Sequence, residues 1–424
     1  MRDPARLSAG EVVAAIRSGE LTAVEVTQAC LARIAERDGD VRAWLSLNPD
    51  AEAEAARIGP GDPRPLAGLP VGIKDVFDTV GLPTTHNSPL FAGNRPSCDA
   101  AAVAQLRAAG AVVIGKTDTT EFAAAGRNAG TSHPMDRSRT PGGSSAGSAA
   151  AVADCHVPLA LSTQTGGSTI RPASFCGIVG MKPSYGLIST EGMKRYAPSF
   201  DTVGFHVRDP RDLALLARVF DLGAASSPPS QLKLGLCLTP YADKILAEMV
   251  AAMETIAERI ADIARCVTFD LPEGAEDLDE LHRTVMFAEG AASFLPLAGR
   301  AELHSDFRER IASRTSESVR GVFGARDRLT DLTRNCETMM DVEGIDAILA
   351  PAAPGHAPEG RGPGDPILNS LWTAMQMPCV ALPVGTAGLP LGIQLIGRRG
   401  TDADLIGAAT AIAPALIGER HAAA

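Results

Sequence analysis

The chain has 424 residues, a net charge of −11 and an isoelectric point of about 5.3. It carries no basic stripe interleaved with aromatic residues, which argues against nucleic acid or an anionic membrane surface as a partner. The eight cysteines stand singly, without Cys-x-x-Cys pairs or zinc-like Cys/His spacing, so neither a disulfide framework nor a metal site is indicated. The N-terminus lacks the apolar core of a secretory signal, which favours a cytoplasmic protein.

Two helices are predicted at the N-terminus. S-x-x-E starting at Ser8 and T-x-x-E starting at Thr22 both match the capping box, and each precedes a run with helical periodicity. The second helix is expected to reach about Asp38, and a third is predicted at 50–58.

From Leu69 onwards, short apolar runs alternate with amphipathic or alanine-rich segments, a pattern typical of α/β proteins. Strands are predicted at 70–77, 111–116, 157–163, 233–238, 345–351, 379–384 and 391–397, and a strand, a loop and a second strand within 177–189. Helices are predicted at 99–109, 146–153, from about 170, 209–220, 243–264 and from about 401. The sequence predicts a central mixed, mostly parallel twisted sheet covered by helices on both faces.

Three other segments have a distinct composition. Residues 276–341 are charged and mostly helical, which indicates an excursion from the sheet that forms a lid wall or an interface between protein chains. Residues 366–397 carry no charge, but frequent prolines exclude a membrane-spanning helix, and we interpret them as buried strands and turns. Residues 226–230 are expected to form a loop.

The most informative stretch is 139–182, in which two Gly-Gly-Ser clusters place Ser144 and Ser168 twenty-four positions apart. A serine after two glycines can present its hydroxyl to a ligand while neighbouring backbone N–H groups stay accessible. The first cluster taken alone is more typical of a flexible linker.

The ordered motifs of this chain resemble the amidase signature family of Ser-Ser-Lys hydrolases. They are PVGIKD around Lys74, GKTDTTEF at 115–122, the block 139–182, SFDTVG at 199–204 and LPLGIQLIG at 389–397. Although this length often means several domains, the resemblance implies one domain: N-terminal helices at 1–60, a signature core at 66–220, a helical excursion at about 240–341, and strands with a helix at 345–420.

The resemblance also implies a catalytic triad of Lys74, Ser144 and Ser168. A serine hydroxyl needs a base, and none of the eight histidines lies in a motif that recruits it as one, so lysine is the remaining candidate. Lys74 lies in an apolar strand, where burial can lower its pKa enough to keep it neutral. Neutral Lys74 then accepts the proton of Ser144, which accepts that of Ser168 during attack. In the family the middle serine follows a cis peptide bond, so the resemblance implies a cis bond between Gly143 and Ser144.

The second Gly-Gly-Ser turn is the expected oxyanion hole, formed by the backbone N–H groups of Thr165, Gly166, Gly167 and Ser168. Two side chains beside this turn are candidate substrate contacts: Gln164, which stands where the family frequently has aspartate, and Arg171. Arg171 has two equal interpretations, a clamp on a substrate carboxylate or a fork that holds a loop carbonyl.

Several other polar residues of the motifs are interpreted as structural. These are Ser145, Ser148 and Ser162 in turns or packing, and Lys116, Lys182 and Asp201 in hydrogen bonds or ion pairs. Substrate specificity is expected from the loops near 120–135, 190–200 and 351–377.

The resemblance implies a cytoplasmic amidohydrolase that cleaves a linear carboxamide or urea-type C–N bond of a small molecule. It implies a homodimer that needs no metal and no organic cofactor. One alternative is the glutaminase-like component of a tRNA-dependent amidotransferase, which needs partner proteins and an ammonia route. A second alternative is a non-catalytic binding protein on the same fold.

Overall fold

A computed structural model describes residues 3–124, 126–224, 231–312, 318–385 and 388–417. Within these ranges the chain forms thirteen α-helices and one sheet of eleven strands. The loop predicted at 226–230 lies outside the described residues. The main cluster of buried apolar side chains extends from Ala9 to Leu416, so both ends of the described chain contribute to it.

The strands differ in burial along the sheet. In chain order they are β1 (Trp44–Leu47), β2 (Pro70–Lys74), β3 (Val112–Thr117), β4 (Leu159–Gln164), β5 (Val179–Lys182), β6 (Thr202–Val207), β7 (Leu232–Leu236), β8 (Ala264–Thr268), β9 (Ala347–Pro351), β10 (Cys379–Val384) and β11 (Leu391–Ile396). Every residue of β2 to β6 and of β9 to β11 is buried. Because side chains alternate between faces, both faces of these strands are covered.

The spatial order of the sheet is β1-β3-β2-β4-β6-β5-β10-β11-β9-β7-β8. Of the ten neighbouring pairs in the described chain, four are parallel and six are antiparallel. The predicted mixed sheet with helices on both faces is confirmed, but antiparallel pairs outnumber the parallel ones that we expected to dominate. One reason is that only a short connection joins β10 to β11, and such connections produce antiparallel neighbours.

Thirteen helices, counted over the described ranges, surround the sheet. They are α1 (Ala9–Ser18), α2 (Ala23–Val41), α3 (Ala51–Ala55), α4 (Ala101–Ala108), α5 (Ala146–Ala153), α6 (Ile170–Cys176), α7 (Leu213–Phe220), α8 (Ala247–Arg259), α9 (Leu278–Phe294), α10 (Ser305–Ala312), α11 (Val319–Glu343), α12 (Ile367–Ala374) and α13 (Asp402–Ile417). Both predicted capping boxes are present, at the starts of α1 and α2. The charged segment forms α9, α10 and α11, as its composition predicted.

Some elements differ from the prediction. The charge-free segment contains helix α12, because its apolar residues are buried by packing that periodicity does not reveal. The predicted helix 243–264 is shorter and is followed by β8, since the chain there pairs with β7. Strands β1, β6 and β8 were not predicted, and of the two strands expected within 177–189 the first forms, as β5.

Candidate active site

Lys74 reaches the candidate site because it ends strand β2. Strand β2 is parallel to β4, with Ile73 opposite Leu161, so the carboxyl ends of the two strands lie at the same edge of the sheet. Strand β4 leads from that edge into the turn 165–168, and α6 begins directly after the turn. The first Gly-Gly-Ser cluster enters the same region at the start of α5.

The Lys74 amine is buried among three hydroxyl groups. Its Nζ lies 2.8 Å from Ser144 Oγ, 2.9 Å from Ser145 Oγ and 2.6 Å from Thr163 Oγ1. The side chain has no exposed surface. Burial lowers the pKa of Lys74 well below its ordinary value, and the negative charge of Asp201 opposes that shift. The surroundings therefore favour a neutral amine.

The neighbouring hydrogen bonds leave a neutral amine one position for the proton of Ser144. Ser145 Oγ lies 3.2 Å from Thr163 O, to which it donates its proton, so it accepts the contact from Lys74. A neutral amine has two protons and one lone pair. If Ser145 and Thr163 accept its two protons, the lone pair is left to accept the proton of Ser144.

Asp201 holds two backbone segments of the site together through hydrogen bonds. Its carboxylate accepts hydrogen bonds from the hydroxyl of Thr165, at 2.5 Å, and from the backbone N–H groups of Tyr196 and Ala197. Complete burial raises the pKa of Asp201 to about 7, although these hydrogen bonds oppose the shift. This carboxylate therefore ties the start of the glycine turn to the loop before β6, in agreement with the structural role predicted for it.

The first Gly-Gly-Ser turn is held by Arg171. The peptide bond between Gly143 and Ser144 is cis, as the family resemblance implied. Arg171 Nη2 donates to Gly143 O at 2.5 Å, and its Nε donates to Pro363 O at 2.7 Å. A Cβ atom on Gly143 would lie 2.7 Å from the Pro363 ring, so this contact requires glycine.

Ser144 and Ser168 line one cavity of about 240 Å³, together with the turn 165–168. Residues of all three predicted specificity loops contribute to its wall, as do side chains of α9 and α10. The helical excursion thus forms one wall of the cavity. Ser168 is partly exposed, whereas Ser144 is buried.

The glycine turn offers unpaired donors to this cavity. Among the residues that the structure describes, no acceptor pairs with the backbone N–H groups of Thr165, Gly166, Gly167 and Ser168. Unpaired N–H groups beside a cavity can bind an anionic oxygen of a ligand. Position 167 requires glycine, because a Cβ atom there would lie 2.5 Å from Asn369 Oδ1.

The two expected substrate contacts have different positions. Gln164 Oε1 accepts the N–H groups of Thr169 and Ile170, and its Nε2 donates to Thr373 Oγ1. Gln164 therefore does not line the cavity; its amide is used at the start of α6. Arg171 does line the cavity, and its buried Nη1 has no hydrogen-bond partner among the described residues.

Sequence reasoning did not place four residues in the site: Ser145, which it interpreted as a structural serine, and Thr163, His282 and Thr373. Ser145 is next to Ser144 in the sequence and Thr163 is next to Gln164, so their adjacency to these candidate residues was the available signal. His282 lies on α9 and Thr373 on α12, and their side chains bond to the turn through Thr165 O and Gly166 O. Neither residue belongs to a motif that the sequence displays, and only the packing of these helices brings them to the turn.

A profile of the Amidase family matches residues 25–406. The chain belongs to this family. The A component of glutamyl-tRNA(Gln) amidotransferase from Chloroflexus aurantiacus is 34% identical over 457 residues, covering 93% of both chains. The corresponding protein from Thermus thermophilus is 33% identical, covering 95% of this chain and 96% of its own.

Solved structures of amidase family enzymes have the same fold. Peptide amidase from Stenotrophomonas maltophilia superposes with a TM-score of 0.82 at 27% identity, covering 96% of each chain. A crystallised amidase gives a TM-score of 0.85 at 26% identity, covering 97% of this chain and 100% of its own. No helix in the described part of the chain is both long and apolar enough to cross a bilayer.

Proposed function

We propose that the chain hydrolyses a carboxamide through an acyl-enzyme on Ser168. The observation that carries this proposal is the buried Lys74 amine, 2.8 Å from Ser144 Oγ, beside a turn with unpaired N–H groups. A lysine kept neutral by burial can act as a general base at physiological pH.

The proposed reaction begins with attack of Ser168 Oγ on the substrate carbonyl carbon. Ser144 Oγ accepts the proton of Ser168 while passing its own proton to Lys74 Nζ. The backbone N–H groups of the turn 165–168 stabilise the negative oxygen of the tetrahedral intermediate. When the C–N bond breaks, Ser144 returns a proton to the leaving nitrogen and recovers one from Lys74. Ammonia or an amine departs, and water releases the acid through the same proton route.

For the substrate, the amidotransferase relatives favour the glutaminase-like alternative over a free amidase. Two of these relatives match across more than nine-tenths of both chains. The cavity is compatible with glutamine because Arg171, Arg283, Arg310 and Asp279 line it. A free amino acid carries both a carboxylate and an ammonium group, which such side chains can bind. This function would require partner proteins to receive the ammonia.

A linear carboxamide or urea-type substrate is the second candidate. It is supported by the structural similarity to peptide amidase and to other amidases, at TM-scores above 0.8. Arg171 Nη1, buried and without a described partner, is a candidate contact for the acyl part of either substrate.

The test is a substrate screen with ammonia or amine release as the readout. Glutamine, simple amides, anilides and small ureides are compared, with Ser168→Ala as the control that should form no acyl-enzyme. Preferential turnover of glutamine and co-purification of partner proteins would support the amidotransferase function. Turnover of other amides by a homo-oligomer, with glutamine inert, would support the free amidase. Absence of both turnover and fluorophosphonate labelling of Ser168 would contradict the proposal and favour a binding protein.

A further inference from the structure

Three of the four carbonyl groups in the turn 165–168 accept a hydrogen bond. Thr165 O accepts from His282 Nε2 at 2.8 Å, and Gly166 O accepts from Thr373 Oγ1 at 2.6 Å. Gly167 O accepts from the backbone N–H of Arg171 at 3.0 Å, at the start of α6. The first two bonds come from side chains on helices more than one hundred residues away in the sequence.

Fixing these carbonyls also fixes the directions of the N–H groups. In a trans peptide the C=O of one residue and the N–H of the next point in opposite directions. The Thr165–Gly166 and Gly166–Gly167 bonds are trans, since among described residues the cis bond is Gly143–Ser144. The bond from His282 to Thr165 O therefore directs the Gly166 N–H, and the bond from Thr373 to Gly166 O directs the Gly167 N–H.

The hydroxyl proton of Thr373 has a defined direction. Gln164 Oε1 accepts two backbone N–H groups, which orients its amide so that Nε2 donates to Thr373 Oγ1 at 3.0 Å. The single proton of Thr373 is then available for Gly166 O at 2.6 Å, a shorter contact than the one to Asn369 O at 3.2 Å. An ionised aspartate at position 164 would have no proton to donate to Thr373 Oγ1. The direction in which the Thr373 hydroxyl donates therefore depends on glutamine at position 164.

The imidazole of His282 also has one defined donor atom. Its ring is buried and lies 4.5 Å from the ring of Phe200, centroid to centroid. Burial lowers the pKa of His282 to about 4, so the imidazole is neutral at physiological pH. A neutral imidazole has one N–H donor, and the contact with Thr165 O assigns it to Nε2.

We propose that His282 and Thr373 are positioning residues for amide hydrolysis: they hold the Thr165 and Gly166 carbonyls so that the Gly166 and Gly167 N–H groups face the oxyanion. This inference rests on the proposed function. It assigns α9 and α12 a role in preorganising the transition-state site in addition to forming the cavity wall.

The test compares two pairs of variants in the full chain. Thr373→Val keeps the shape but removes the donor, and Thr373→Ser keeps the hydroxyl. His282→Met removes the ring donor, and His282→Gln keeps an amide N–H. Thr333→Val is the matched control, because Thr333 is buried and donates to Leu329 O within α11, away from the turn.

The wild-type protein is assayed first on the amide that it turns over best. We expect kcat of Thr373→Val and His282→Met to fall roughly 10- to 100-fold, somewhat less than loss of a whole oxyanion donor. KM should stay within about twofold, because the interaction develops in the transition state. The rate constant for labelling Ser168 with a fluorophosphonate should fall in parallel, whereas Thr373→Ser, His282→Gln and Thr333→Val should retain most of the activity.

Each remaining outcome would count against a defined part of this reasoning. Wild-type kcat in both donor-less variants would overturn the positioning role and leave the proposed function intact. A rise in KM with unchanged kcat would overturn it as well. So would an equal fall in kcat in Thr373→Ser and Thr373→Val, since packing rather than hydrogen-bond donation would then be responsible. A wild-type protein with neither turnover nor labelling would refute the proposed function and this inference together.

Discussion

Replacing Lys74 with methionine tests two expected effects of its buried amine, one on the rate of catalysis and one on the pH dependence of stability. The variant keeps an unbranched side chain in the strand but removes the amine that lies 2.8 Å from Ser144 Oγ. General acid–base catalysis contributes roughly 10²- to 10⁴-fold to rates. We therefore expect kcat to fall by about that factor, equivalent to roughly 3–5 kcal/mol of activation free energy.

The same change should alter how stability depends on pH. Because the pKa of Lys74 is lowered in the folded state, the unfolded chain binds a proton that the folded chain excludes. Wild-type stability should rise as the pH increases from the folded-state pKa towards the ordinary lysine value. Lys74→Met should lack this contribution, so its stability relative to wild type should be greatest at low pH. Loss of the hydrogen bonds with Ser144, Ser145 and Thr163, worth about 1 kcal/mol each, opposes that gain.

The assays are steady-state amide hydrolysis between about pH 5 and pH 10 and urea denaturation over the same range, chosen to span roughly both lysine protonation states. Lys182→Met is the matched control: Lys182 is also fully buried, but its Nζ donates to the carbonyl oxygens of Pro183 and Met377 rather than to hydroxyls. It should lose stability and keep kcat. A Lys74→Met variant with kcat near wild type would refute Lys74 as the base.

Two further predictions concern buried charges near the site. Above its pKa of about 7 Asp201 is mostly ionised, and its charge then raises the pKa of Lys74. In Asp201→Asn, the part of the acidic limb of the kcat/KM profile that lies above pH 7 should therefore move to lower pH; a shift to higher pH would contradict this. Lys116→Met breaks the buried ion pair with Asp75, whose atoms lie 3.2 Å apart, and should reduce the free energy of unfolding by about 3–5 kcal/mol in urea denaturation. A loss below about 1 kcal/mol would show that the pair adds little.

Local sequence patterns predicted much of the fold. Capping boxes at Ser8 and Thr22, and apolar runs such as 379–384 and 391–397, produced elements close to the observed α1, α2, β10 and β11. These signals are local because a capping hydrogen bond spans three residues and strand or helix periodicity repeats within one element. The order of the motifs likewise predicted the family, and the family resemblance implied the contact between Lys74 and Ser144.

The sequence by itself determined which residues carry the proposed chemistry, because Lys74 and the two Gly-Gly-Ser turns lie within recognisable motifs. Only the tertiary structure decided what holds those residues in place. His282 and Thr373 meet the turn through helices α9 and α12, and Gln164 is engaged at α6 instead of lining the cavity. The physical reason is that a hydrogen bond between Thr165 and His282 joins residues 117 positions apart, and its formation depends on how the helices pack on the sheet.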